Sequence, residues 1–294
     1  MATGKIKRSA ELLVQSWSVL KKHPSLMVFP VISGIATLTV LGFFAVPVLM
    51  SETLQGDLEQ MFSQGKNDDP KDATISHALW LLFFAAFFVC NFVTVFFNAA
   101  LLGAADRAFR GQPTGIGAGI KVATSRIHLV LGWCVISCLL GILLSLLERR
   151  LPFAGRIAVR LVGAAWGIAC YFVVPVLVVE GLSPMAAVRR SVEVLKTGWG
   201  EGLALAVGFT AISTAIGAVV AVLAVGAVVA GILTKSLALG LGIASIAVAI
   251  VIGWSIVASA LRTIAQLALF RFASSGNAPD GFSQQALEGA FAKS

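Results

Sequence analysis

The sequence predicts an all-α, polytopic integral membrane protein with six transmembrane helices, arranged as three hairpins that are each preceded by an interfacial amphipathic helix. Three observations predict it. Hydrophobic residues make up 58% of the 294 residues and charged residues 12%, with a mean hydropathy of +0.92. A soluble domain carries roughly 25% charged residues, so this chain cannot cover its own surface with polar groups, and a soluble enzyme is excluded. Apolar runs recur near 25–50, 78–105, 128–147, 158–179, 203–233 and 237–261, each long enough for the roughly 20 residues that cross a bilayer. Nothing alternates at the spacing of barrel strands, so the backbone groups in lipid must be satisfied within helices. Finally, a basic amphipathic segment of one design recurs along the chain.

The chain opens on that segment, KRSAELLVQSW at 7–17. Its apolar positions Ile6, Ala10, Leu13 and Trp17 fall at i, i+4, i+7 and i+11, one face of a helix. The run that follows is too long for a signal-peptide core and is expected to stay as an anchor. A loop at 51–76 carries Glu52, Asp57, Glu59, Asp68, Asp69 and Asp72 against Lys66 and Lys71, and Gly65–Pro70 marks a mobile tip.

In the second run Phe84, Phe88, Phe92 and Phe96 form an i, i+4 stripe for lipid or core. Asn91 and Asn98 share a face, and each is expected to bond across to another helix for about 1 kcal/mol. The segment Ile116, Ile120, Ala123 and Ile127 repeats the amphipathic stripe without the KRS-x-E core. Runs three and four meet in a hairpin holding Glu148, Arg149, Arg150, Arg156 and Arg160. Guanidinium groups match phosphate and carboxylate geometry, which makes the four arginines a candidate anion or lipid-phosphate site. The alternative is that Glu148 neutralises one and the others snorkel into headgroups. Pro47 and Pro175, near span ends, can kink or stop their helices.

The second copy of the opening segment is RRSVEVLKTGW at 189–199. Arg8/Arg190, Ser9/Ser191, Glu11/Glu193, Leu13/Leu195 and Trp17/Trp199 coincide without a gap, and Ser183–Pro184 supplies a helix start. Arg8, Trp17, Arg189, Arg190 and Trp199 are the candidate interfacial or partner-binding residues, and Arg190–Glu193 can close a helical ion pair. Runs five and six are joined by a tight turn at Thr234–Ser236, and carry small-residue ridges at Gly217/Ala221 and Ser245/Ala249/Gly253 for close packing. The organisation is one six-span domain, 1–274, in units of roughly 1–110, 111–180 and 181–274. A polar tail follows at 275–294, where Phe282, Leu287 and Phe291 can dock on the membrane.

The net charge of +8 resides in short segments beside the apolar runs, a pattern of anchoring to anionic lipid. No nucleic-acid-reading module is present. Placing both termini in the cytoplasm collects most of the Lys and Arg there, and only the hairpin arginines disagree. The expected partners are therefore anionic membrane lipids, with a protein partner or a second copy of the chain open. Cys90, Cys134, Cys138 and Cys170 read as core residues; His23, His77 and His128 lack neighbours at metal-ligand spacing. No catalytic motif is found, so a non-enzymatic protein without cofactor or metal is expected. No Asp, Glu, Lys or His lies mid-span, whereas ion-coupled transporters usually need one.

The opening KRSAELLVQSWSVLKKHPSLMVFPVISG and the stretch FVVPVLVVEGLSPMAAVRRSVEVLKTGWGE at 172–201 resemble a family of uncharacterised bacterial multi-pass membrane proteins, a domain of unknown function. The resemblance covers nearly the whole chain outside 51–76 and the tail. The kinked span, Glu-Gly and RS-x-x-x-L helix are more distantly similar to membrane domains fused to glycerophosphodiester phosphodiesterases, whose catalytic domain this chain lacks. The resemblance implies the bacterial inner membrane but no activity. Two functions are expected: first a scaffold or assembly factor working through its basic cytoplasmic helices, and second a transporter or lipid-handling protein using the hairpin arginines.

Overall fold

A computed structural model of the chain describes residues 2–63, 77–197, 217–219, 221–222, 225–226, 228–229 and 237–291; for 2–10, 61–63, 197, 237–244, 247 and 289–291 it describes the backbone alone. Among these residues every regular element is helical. In chain order they are α1 (Ala2–Lys22), a 3-10 turn (Pro24–Met27), α2 (Val28–Met50), α3 (Glu52–Ser63), α4 (His77–Phe109), α5 (Ile116–Ser125), α6 (Ile127–Arg150), α7 (Phe153–Ala169), α8 (Val173–Val179), α9 (Pro184–Thr197), α10 (Leu237–Ser275) and α11 (Gln284–Phe291).

Five segments are long and apolar enough to cross a membrane: Pro24–Met50, His77–Phe109, Ile127–Arg150, Phe153–Val179 and Val248–Ser275. They coincide with five of the six expected spans. Most of run five, the turn at 234–236 and the tip at 65–70 lie outside the described residues. Where run five is described its backbone is helical, and a Cβ on Gly217 would stand 3.6 Å from Trp254 Nε1 of α10.

Three expectations change. The loop at 51–76 begins as a helix, α3. Ser51 Oγ accepts from the Leu54 N–H at 3.4 Å and Glu52 occupies the first turn, both of which favour a helix start. The helix of the sixth span does not end with its apolar run at 261: α10 continues to Ser275, 39 residues and about 58 Å in all. It continues because Arg271 is neutralised by Asp106 of α4, its Nε 2.6 Å from Oδ1, while Leu267, Ala268 and Phe270 are buried around it. The tail does not rest on the membrane through Phe282 and Leu287. Both are buried in the protein, Phe282 edge-on to Phe109, and Gln15 exchanges hydrogen bonds with Ser283.

The core lies at one end of the spans. One apolar cluster takes Leu12, Val19 and Leu20 from α1, Phe29 from α2, Leu101, Leu102 and Phe109 among others from α4, Ala123 from α5, Val130 and Cys134 from α6, Val173, Val176, Leu177 and Val178 from α8, Ala187 and Val194 from α9, Leu261, Ile264, Leu267 and Phe270 among others from α10 and Leu287 from α11. Helices α1, α5 and α9 therefore gather on the same side of the molecule. The far ends are bare, as expected of lipid-facing surface: Met50 is 82% and Phe153 74% exposed. The inner faces of α1 and α9 are offset by one residue from the apolar stripe. Leu12 and Val194, equivalent in the repeat, are buried, together with the polar Ser16 and Ser191, whereas Leu13 and Leu195 are half-buried.

Helices α4 and α5 meet through glycine. A Cβ on Gly119 would lie 2.5 Å from both the Ala100 carbonyl oxygen and Phe29 Cζ, and one on Gly103 2.7 Å from Val122 Cβ. Overpacking of this kind costs roughly 1–3 kcal/mol, offset by about 1 kcal/mol of helix propensity gained by alanine. Gly119→Ala should thus lose about 1 kcal/mol. Gly117→Ala, whose Cβ meets nothing within 4 Å, should lose nothing. Thermal unfolding of the two variants in detergent micelles checks this, and equal shifts would remove the close-approach argument.

Candidate functional site

Proline has no N–H, so within a helix it strands the carbonyl four residues before it. For Pro175 that carbonyl belongs to Tyr171, and there the fourth span breaks: α7 ends at Ala169 and α8 begins at Val173. Irregular backbone at such depth survives only where the protein satisfies it. Gln266 Nε2 of α10 donates to the Tyr171 carbonyl, and the Phe172 N–H donates to Ser191 Oγ of α9 at 3.0 Å. At the other end of α8 the N–H groups of Glu180 and Gly181 both reach the Val176 carbonyl, with Gly181 at φ +69°, a left-handed closure that glycine permits. Glu180 is held by Arg190 Nε at 3.2 and 3.3 Å, and Arg190 also reaches Glu193 at 3.4 Å. The Arg190–Ser191 pair of the repeated motif thus holds both ends of the broken half-helix.

A cavity of about 290 Å³ lies beside the break, lined by Asn98 and Leu102 of α4, Val174 of α8, and Ser255, Ala258, Ser259, Arg262, Thr263 and Gln266 of α10. Ser255 and Thr263 spend their hydroxyl protons on the carbonyls of Val251 and Ser259, so neither donates to a ligand in this arrangement. Arg262 follows directly on the uncharged run 237–261 of α10 and is exposed, and none of the ion pairs among the described residues includes it. As donors the site offers a guanidinium with no acidic partner among the described residues, the Asn98 amide and the Ser259 hydroxyl. That set suits a phosphate or carboxylate.

The residues singled out from sequence are placed as follows. All four hairpin arginines are exposed: Arg160 pairs with Glu148 at 2.7 Å, Arg149 lies 5.7 Å from the Trp80 ring, and Arg150 and Arg156 stand apart from the cavity. Trp17 is 38% exposed with Lys21 Nζ 5.4 Å from its ring, and Arg189 is exposed. Arg8 belongs to α1, but its side chain lies outside the described residues, as does Trp199 altogether. Asn91 does bond across helices, donating to Cys138 Sγ at 3.5 Å, whereas Asn98 lines the cavity. Sequence reasoning missed Arg262, Gln266 and the Asp106–Arg271 pair. A signal for two of them existed: Ser255, Ser259, Arg262 and Gln266 recur at i, i+4, i+7 and i+11, a polar stripe along α10.

A second recess of about 600 Å³ between α1, the end of α4 and the 276–283 turn carries Asp280 beside Lys21, Lys22 and His23. Its charges are of both signs, and His23 is already within 3.2 Å of Thr114 Oγ1. Among the described residues no three His, Cys, Asp or Glu side chains are grouped to hold a metal.

A model described as a family of unknown function (DUF6159) matches residues 77–281, well over half of the chain. A model of a plasma-membrane choline transporter matches residues 1–107. The opening segment, which carried half of the resemblance seen in the sequence, falls within this second range. No curated protein and no solved structure matches.

Proposed function

The chain belongs to the DUF6159 family of unknown function, and from that premise we propose that it is a membrane transport or lipid-handling protein that binds an anionic, phosphate- or carboxylate-bearing ligand at Arg262. The observation that carries this reading is a guanidinium that has no acidic partner among the described residues and lines a polar cavity beside a discontinuous span. Arginine suits phosphate and carboxylate geometry, and broken helices beside ligand sites recur in transporters. The match of residues 1–107 to choline transporters supports movement of a ligand as the class of activity. Choline itself, a cation, does not suit Arg262. The positive-inside distribution supports cytoplasmic termini.

Scaffolding through the basic helices is the weaker reading, because α1 and α9 turn Leu12 and Val194 into their own core. The hairpin arginines keep an anchoring role at the opposite end of the spans.

The test is equilibrium binding of two anionic probes, sn-glycerol 3-phosphate and dioleoylphosphatidylglycerol, to the full chain in detergent micelles. Arg262→Gln should weaken the binding that the wild type shows by at least tenfold, and Arg160→Gln should leave it unchanged. An Arg262→Gln variant that binds as well as the wild type refutes the site.

A further inference from the structure

The polar cavity has an apolar neighbour. A cleft of about 520 Å³ between α2, α4 and α10 is walled by side chains such as Ile35, Leu38, Phe97 and Ile256. It shares Asn98, Ser255 and Ser259 with the Arg262 cavity, so the two adjoin along that wall, one more polar and the other more apolar. We infer that the ligand is an anionic membrane lipid, with its phosphate at Arg262 and an acyl chain lying in this cleft. The inference rests on the reading of Arg262 given above.

Geometry and charge both point to a lipid. Along α10, Ile252 and Ile256 of the cleft precede Arg262 by ten and six residues, about 15 and 9 Å at 1.5 Å per residue. Half of a bilayer's hydrocarbon is also about 15 Å deep. Arg262 follows directly on the uncharged run of 237–261, which puts it at headgroup level when that run fills the hydrocarbon. The end of the molecule bearing α1, α5, α9 and α11 then faces the adjoining water. The cleft is open on the α2 side, where Ile35 is 61% and Leu38 70% exposed. A lipid can enter sideways from its own leaflet, without crossing water.

The experiment uses native mass spectrometry of the full chain in micelles, titrated with dioleoylphosphatidylglycerol or with sn-glycerol 3-phosphate. Gly34 lines the cleft, and a Cβ there meets nothing within 4 Å. The ring of Gly34→Phe therefore enters the cleft. Gly42 has equally open surroundings but lies outside the cleft, so Gly42→Phe is the control. The expected result is that the wild type prefers the lipid by tenfold or more. Gly34→Phe abolishes that preference without weakening the water-soluble probe, Gly42→Phe keeps it, and Arg262→Gln weakens both probes. Should Gly34→Phe fail to fold by thermal unfolding, Leu38→Trp fills the same cleft from an exposed position. Equal binding of the two probes, insensitive to either cleft-filling variant, overturns the inference and leaves the Arg262 reading standing. Indifference of both probes to Arg262→Gln overturns the two together.

Discussion

Replacing Asp106 with asparagine is expected to cost about 3 kcal/mol, the largest loss of any single substitution considered for this protein. The carboxylate is 13% exposed and grips Arg271, itself 25% exposed, while its other oxygen lies 3.1 Å from Arg110 Nη2. Asparagine keeps the shape but removes the charge, so Arg271 stays among buried side chains of α4 and α10 with no counter-charge. Breaking such a pair from one side costs 3–5 kcal/mol, whereas replacing both partners is often nearly neutral; the residual exposure here argues for the lower figure. Arg271→Gln should lose a similar amount, and the Asp106→Asn/Arg271→Gln double variant should lose less than either single. Arg110, 51% exposed, should matter by no more than about 0.5 kcal/mol when changed to glutamine. Unfolding midpoints in micelles decide it, since additive losses in the double variant would mean that the two charges are not a unit.

The next largest effect is expected at the break in the fourth span. Gln266→Leu removes the donor that answers the Tyr171 carbonyl. An acceptor left unsatisfied away from water costs roughly 1–3 kcal/mol, so a loss of about 2 kcal/mol follows. The cause is specific: the carbonyl needs Gln266 only because residue 175 is proline. Pro175→Ala restores an N–H to the helix, and in that background Gln266→Leu should lose at least 1 kcal/mol less. A double-mutant cycle on unfolding free energies measures this directly. If the Gln266→Leu loss is the same with proline and with alanine at 175, Gln266 acts through some other contact.

Much of the architecture was legible because membrane insertion reads a local quantity. The length of an apolar run locates a span, and five described spans stand where runs of sufficient length predicted them. The boundaries were less legible wherever a charge found a distant partner. The sequence around Arg262 and Arg271 reads as the end of a span, and nothing local says that Asp106, 165 residues earlier, neutralises Arg271. The inner faces of α1 and α9 were misjudged by one position for a related reason. Counting apolar side chains cannot reveal that Ser16 and Ser191 are buried, or that Ser191 is there to receive the Phe172 N–H. The candidate cavity was half legible: its polar stripe on α10 shows the helical period, but that stripe gains meaning only beside Asn98 and the Pro175 break. The hairpin arginines, the most conspicuous cluster in the sequence, are exposed and line neither cavity on α10, whereas Arg262, exposed as they are, lines one.

The contact between Gln15 and Ser283 has a consequence for the order of biogenesis. These residues are 268 positions apart, which at 5–20 residues per second separates their synthesis by on the order of tens of seconds. Throughout that interval the Leu12, Val19 and Leu20 face of α1 has been made and its companions in α10 and α11 have not. The surface of the bilayer is the one apolar resting place within reach of a helix tethered to a newly inserted first span. The amphipathic character of α1 therefore acts in sequence, first as a waiting position at the membrane surface during translation and then as the face that closes the bundle once residues 260–287 emerge.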